Sequence, residues 1–143
     1  SPGLVHLGDY LSRTSEPFND HEPVDSSAAA ITAQGLLRLG HFLRDRDNAA
    51  ATRYWQAGLT TAQSLLSEPY LSTDEAHQGL LLHTIYHQPR GWDHVPTGSK
   101  ISHSESCLWG DYHLRELALY LQRVVDDSTP YYSFFGPGNS HTN

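Results

Sequence analysis

Sulfur and positive charge are scarce in this chain of 143 residues. The chain has one cysteine, Cys107, and no methionine, so it can form no internal disulfide and offers no thiolate cluster to a metal. Nine lysines and arginines stand against sixteen aspartates and glutamates, which gives a formal net charge of -7. Because a basic surface is needed to neutralise phosphates, we expect no nucleic-acid partner.

Long apolar runs are also absent. No stretch approaches the roughly 20 apolar residues that a membrane span requires, and residues 1–20 lack the basic-then-apolar order of a secretory signal. We therefore expect a soluble protein without a membrane partner. The cytoplasm is the simplest location, with the periplasm or secretion left open.

Three segments carry helical periodicity, and they cover residues 28–43, 49–66 and 111–125. The stretch Asp25-Ser26-Ser27 supplies N-caps for the first helix. A short turn makes the first two helices an antiparallel hairpin, and the long return lets the third run parallel to the first. The predicted fold class is all-α. Small residues and bulky ones such as Ile31, Leu39 and Phe42 predict that the first helix is buried on more than one side.

The connection before the third helix carries the polar and aromatic residues. Its first part, residues 75–87, fits either a short helix or a strand-like loop. Proline and glycine then interrupt a long stretch that contains Trp92, Asp93 and His94, and such long connections are usually functional. Since the first and third helices start at the same end, we expect this loop to lie over their N-termini and form a polar pocket with aromatic platforms.

Two carboxylates, Asp25 and Asp111, are expected to meet at that end. Both fit the role of helix cap, since aspartate is favoured at N-caps. If they also face a cleft, they bind sugar hydroxyls or divide acid and base work between them. The sequence leaves both readings open.

Histidines and aromatic residues allow further readings. His83 and His87 are four residues apart, so on a helix they would share a face. Asp93 or His94 would then supply the third ligand of a metal site. Hydrogen bonding to substrate or ordinary packing is favoured over a metal, because the zinc-protease glutamate is absent. The sequence allows two roles for its aromatic residues in this region, which are stacking on sugar rings and packing in the core. These residues are Trp92, Trp109 and Tyr112. Lys100 and the helix N-termini suit an anionic ligand.

Two stretches resemble a known family. Residues 25–37 read D-S-S-A-A-A-I-T-A-Q-G-L-L, and Trp109-Gly110-Asp111-Tyr112 opens the third helix. The same stretches, in the same order and at similar separations, are characteristic of the C-terminal part of unsaturated glucuronyl hydrolases, glycoside hydrolase family 88. The resemblance covers roughly residues 3–125.

The resemblance implies that residues 1–125 are the C-terminal segment of an (α/α)6 barrel. Residues 126–143 are rich in Ser, Pro, Gly and Asn, and this composition predicts a flexible tail. The family removes a 4,5-unsaturated uronic acid from oligosaccharides by hydrating its vinyl ether, and it uses no metal or other cofactor. Its catalytic aspartate lies in parts absent from this chain, so neither Asp25 nor Asp111 receives that role. The alternatives are an unsaturated rhamnogalacturonyl hydrolase or a non-catalytic helical glycan-binding module.

The expected partners are thus an unsaturated uronyl oligosaccharide and either the remainder of the barrel or a second copy of the chain. The chain is expected to supply a wall of the substrate pocket. The predicted substrate-binding residues are Asp25, Ser26, Ser27, Trp92, His94, Lys100, Trp109, Asp111 and Tyr112.

Overall fold

The computed structural model of the chain describes residues 20–126, which form an all-α fold. Its helices are α1 (Ser26–Leu43), α2 (Asn48–Leu65) and α3 (Leu108–Asp126), with a 3-10 helix at Gln88–Arg90 in the last connection. Across this part of the chain β-pairing is limited to one isolated antiparallel bridge between Leu71 and Leu81. The predicted fold class is confirmed. The tail predicted from residue 126 lies outside the described residues, apart from the last residue of α3.

Side-chain caps explain where the first two helices begin. The Asp25 carboxylate accepts the backbone N–H groups of Ser27 and Ala28, and the Asp47 carboxylate accepts that of Ala50 at 3.0 Å. Both bonds satisfy amides that have no partner inside a helix. The predicted starts of α1 and α2 were therefore correct to within two residues.

The start of α3 lies close to the predicted one. The helix begins at Leu108, three residues before the predicted position, and Cys107 precedes it. The Cys107 carbonyl accepts the N–H of Asp111 at 3.1 Å, and its sulfur lies 3.4 Å from the N of Gly110. The stretch Trp109-Gly110-Asp111-Tyr112 therefore opens the helix, as the sequence indicated.

Helix α1 lies between the other two helices. Close contacts with α2 join Leu37 to Gly58 and Gly40 to Ala51, so sequence numbers run in opposite directions. Contacts with α3 join Gln34 to His113 and Arg38 to Tyr120, so numbers rise together. The hairpin and the parallel third helix are confirmed. The buried core cluster is formed by Ala30, Ala33, Leu37, Ala62, Leu65, Leu81, Leu114, Leu117 and Tyr120.

Small residues of α1 provide most of its buried surface, and several bulky ones do not. Ile31 and Phe42 are 47% and 57% exposed, and the expectation that they fill the core is wrong. Since residues three or four apart share a helix face, they form an apolar surface here termed the open face of α1, which consists of Ile31, Gly35, Leu39 and Phe42. The helix is buried on the two sides that contact α2 and α3.

None of the helices in residues 20–126 combines the length and the apolar content that crossing a bilayer demands.

Two glycines of α1 provide a matched test of this packing. A Cβ at Gly40 would lie 2.9 Å from the backbone N of Trp55 and 3.0 Å from the Ala51 carbonyl oxygen, whereas one at Gly35 meets nothing within 4 Å. Gly40→Ala should destabilise the chain by about 2 kcal/mol, because overpacking against backbone outweighs the gain in helix propensity. Gly35→Ala should be neutral or stabilising by up to about 1 kcal/mol.

Urea unfolding of both variants and the wild type, followed by far-ultraviolet circular dichroism, measures the difference. Equal stability of the two variants would contradict the observed α1–α2 contact.

Candidate functional site

Residues 80–87 pass over the N-terminal ends of α1 and α3, and they are termed here the crossing segment. The segment contains no helix and no strand ladder, which resolves the two readings left open by the sequence in favour of a loop. His83 and His87 therefore do not share a helical face. Because its amides lack regular partners, they must find acceptors elsewhere.

Asp111 binds the start of the crossing segment. Its carboxylate oxygens lie 3.0 Å from the backbone N of Leu80, and Oδ1 lies 2.8 Å from that of Leu81. The cap reading of Asp111 is wrong, since the residue lies inside the first turn of α3 and accepts amides from a different part of the chain. Asp111 thus joins α3 to the crossing segment.

Asp25 and Ser26 bind the middle of the segment. The Ser26 hydroxyl donates to the Leu82 carbonyl at 2.6 Å, and its backbone N–H donates to the His83 carbonyl at 3.0 Å. Ser26 has no exposed surface, so it contacts protein only. Asp25 Oδ1 caps α1 and also lies 3.4 Å from the backbone N of Ile85. The cap reading of Asp25 is confirmed.

Ser27 connects Asp25 to the aromatic part of the site. Its hydroxyl donates to Asp25 Oδ1 at 2.6 Å and accepts the indole N–H of Trp109 at 3.2 Å. This pair of bonds fixes the Trp109 ring against the N-terminus of α1. The capping residues and the tryptophan, predicted to lie together, are adjacent.

Three rings form a row beside these N-termini, termed here the aromatic row. Tyr86 lies in the middle, with ring centroids 5.2 Å from Trp109 and 5.8 Å from Trp92, and interplanar angles near 30°. The exposed fractions are 36% for Trp109, 54% for Tyr86 and 57% for Trp92. The Arg90 guanidinium lies 5.4 Å from the Trp92 ring centroid. The row is an apolar wall open to solvent.

Tyr86 was missed by the sequence reasoning. It is a single aromatic residue in an aperiodic stretch, so no pattern marked it. The only local signal was its position immediately before the Pro89 and Gly91 turn that carries Trp92.

The remaining predicted residues make none of the ring contacts that form the row. Tyr112 and His94 are exposed, and the Tyr112 ring contacts His113 edge-on at 5.1 Å. Lys100 contacts the Asp20 carboxylate, through a hydrogen bond that raises the pKa of Lys100 and lowers that of Asp20. Lys100 is thereby engaged with an acid in this structure.

A histidine in the loop before α3, His103, contacts the crossing segment at His83. The His83 ring stacks on His103 with centroids 6.2 Å apart, and its Nδ1 accepts the N–H of Ser104 at 3.3 Å. His83 has a left-handed backbone, with φ at 62°. Burial lowers the pKa of His83 below its ordinary value of 6.5, and the nearby His103 lowers it further.

Within residues 20–126, no group of three or more histidine, cysteine, aspartate or glutamate side chains is arranged to hold a metal ion.

One curated relative has a sequence similar to this chain. The chain is 34% identical over 102 residues to the unsaturated glucuronyl hydrolase of Bacillus sp. (strain GL1). The match covers 71% of the chain but only 24% of that protein, so the chain spans about a quarter of its relative's length. A scan against family models gave no match, and a search of solved structures gave no significant match. The chain is therefore a distant relative of an unsaturated glucuronyl hydrolase.

The folded chain should lose stability at mildly acidic pH through His83. Because the pKa of His83 is lower in the folded chain than its ordinary 6.5, the unfolded chain binds more protons between these two values. The stabilising contribution is complete above about pH 6.5 and decreases as the pH falls through 6.5 towards the lowered folded pKa. The urea midpoint should therefore decrease as the pH is lowered from about 7.5 to about 5.

His83→Asn provides the control. Asparagine tolerates a left-handed backbone and keeps an oxygen acceptor for Ser104, so the variant should show a smaller decrease. The decrease that remains in the variant is expected from His41, because burial and the nearby Arg44 lower the pKa of His41 as well. Equal pH dependence in wild type and variant would exclude the assigned role of His83.

Proposed function

We propose that the chain forms one wall of the sugar pocket of an enzyme that removes 4,5-unsaturated uronic acid from oligosaccharides. The observation that carries this proposal is the exposed aromatic row beside the adjoining N-termini of α1 and α3, where Trp109 donates to Ser27. Apolar ring faces and edges suit the C–H surface of sugars, and nearby polar groups suit their hydroxyls. The named relative supports the choice of substrate.

The predicted binding residues divide into two groups on this proposal. Trp92 and Trp109, together with Tyr86, contact the sugar through their rings. His94, Lys100 and Tyr112, which are not part of the row, bind its polar groups. Side chains of the second group support the wall from behind, through their bonds to the crossing segment or to Trp109. They are Asp25, Ser26, Ser27 and Asp111.

The chemistry proposed is hydration of the vinyl ether, as the family resemblance implies. An acid protonates C4, and water adds to C5 to give a hemiketal. The hemiketal opens to a ketone at C5, and the hemiacetal left at C1 collapses to an aldehyde and releases the hydroxyl of the next sugar. The Asp25 and Asp111 oxygens accept backbone N–H groups. A general acid must instead point a proton at the reacting carbon. On this proposal the chain is one part of a longer protein, and the acid lies outside this chain, as the family resemblance implies.

The fold proposed for that longer protein is an (α/α)6 barrel, with α1 and α3 as inner helices and α2 as an outer one. Its support is the open face of α1, where Ile31, Leu39 and Phe42 expose apolar surface along one side of the central helix. Gly35 on the same face leaves room for close approach of another helix. On this proposal a neighbouring helix of the barrel covers the open face.

Substitution of Tyr86 tests the enzymatic proposal. In the longer protein, Tyr86→Ala should raise KM for a 4,5-unsaturated uronyl disaccharide about tenfold, because a stacking contact is lost. Tyr54→Ala, at an exposed tyrosine of α2, should leave KM unchanged. Loss of the ultraviolet absorbance of the unsaturated sugar measures both.

The same measurements separate the alternatives. A wild-type protein that leaves the absorbance unchanged would contradict the enzyme assignment. The three described helices bury a core of their own, which favours a non-catalytic binding module as the second candidate. Tight binding of the disaccharide by this chain alone would select that module, and faster turnover of a rhamnogalacturonyl disaccharide would select the related hydrolase.

Substitution on the open face tests the barrel. Ile31→Asp should change the thermal stability of this chain little, since the side chain is half exposed, but should lower the midpoint of the longer protein markedly. A buried unpaired charge there would cost several kcal/mol. Thr52→Asp, on the exposed face of α2, should have little effect in either protein. Equal shifts for Ile31→Asp in the two proteins would contradict the barrel arrangement.

A further inference from the structure

Asp93 makes two hydrogen bonds that close the loop carrying Trp92. One carboxylate oxygen accepts the backbone N–H of Tyr86, and the other accepts that of His87 at 2.8 Å. Both amides belong to the end of the crossing segment, where neither a strand nor an α-helix supplies an acceptor. The two ends of an eight-residue loop, residues 86–93, are thereby joined through one side chain.

This closure determines where two rings of the aromatic row lie. Trp92 directly precedes Asp93, so binding of the carboxylate to the Tyr86 amide brings the indole against the Tyr86 ring at 5.8 Å and against His87 at 5.2 Å. Surrounding atoms cover less than half of either residue, since Tyr86 is 54% exposed and Trp92 is 57% exposed.

The other end of the row has a separate support. Trp109 belongs to α3 and donates to Ser27, which in turn binds Asp25. The row therefore has one end fixed by a helix terminus and the other by Asp93. Since Tyr86 lies between the two tryptophans, the carboxylate of Asp93 decides whether the three rings form a single surface.

We propose that Asp93 is a positioning residue, which orients Tyr86 and Trp92 as a sugar-contacting surface by accepting the amides of Tyr86 and His87. The orientation of the rings follows from the contacts alone, whereas the contact with sugar rests on the proposed function. The role differs from general loop stability, because the turn within the loop has its own bonds. Arg90 N–H donates to the His87 carbonyl at 3.0 Å, and Gly91 N–H donates to the Gln88 carbonyl at 2.9 Å.

Near-ultraviolet circular dichroism of this chain tests the orientation of the rings directly. Asp93→Ala should abolish most of the signal that the Tyr86–Trp92 pair contributes, as judged against Trp92→Phe, with a thermal midpoint within about 3 °C of wild type. Asp93→Asn keeps one oxygen acceptor and should retain an intermediate signal. Asp74→Ala is the matched control, since that carboxylate accepts the Ala76 N–H at 2.9 Å in another loop, and it should leave the signal unchanged.

Kinetics of the longer protein test the link to sugar. Asp93→Ala should raise KM for the unsaturated uronyl disaccharide about tenfold with kcat within about twofold, and Asp74→Ala should change neither. An unchanged near-ultraviolet spectrum of Asp93→Ala overturns the positioning role, and a changed spectrum with unchanged KM overturns its link to sugar. A changed spectrum in a longer protein whose wild type has no activity overturns the proposed function while supporting the positioning of the rings.

Discussion

The site depends on one constraint, which is that the backbone amides of the crossing segment need acceptors that no helix or sheet provides. A segment outside helices and sheets must find acceptors for its N–H groups, because a buried amide without a partner costs several times the net gain of a hydrogen bond. In the crossing segment, carboxylates supply many of these acceptors. Asp111 accepts at the start, Asp25 in the middle and Asp93 at the end. Each carboxylate comes from a different part of the chain, so the path of the segment depends on how those parts are arranged.

The central helix makes this arrangement compatible with a small core. Gly40, together with Gly58 of α2, lets the two helices approach closely, and the first turn of α1 brings Ser26 and Ser27 against the crossing segment and Trp109. Packing of α1 and the geometry of the site are thus coupled through the helix N-terminus. The bulky residues that the core does not need lie on the opposite, open face.

Periodicity and loop length predicted the fold, because both act locally. The three helices, the hairpin and the parallel third helix all follow from apolar spacing and short or long connections. The bonds of Asp111 and the place of Tyr86 did not follow. An aspartate near a helix start has the same sequence signal whether it caps its own helix or binds a distant amide, and the choice depends on tertiary contacts. A lone aromatic residue in an irregular segment has no period at all. The spacing of His83 and His87 was uninformative for a related reason, since residues four apart share a face only on a helix.

One oxygen atom, Asp25 Oδ1, accepts hydrogen bonds from the first turn of α1 and from the Ser27 hydroxyl, and it lies near the Ile85 amide. Helix capping and the orientation of Trp109 therefore share a single acceptor. If the aromatic row were transferred to another protein, this cap would have to be transferred with it. Without the Asp25 oxygen, Ser27 would lose the acceptor that orients its hydroxyl towards Trp109. The portable unit is the helix end together with the loop, and neither is sufficient alone.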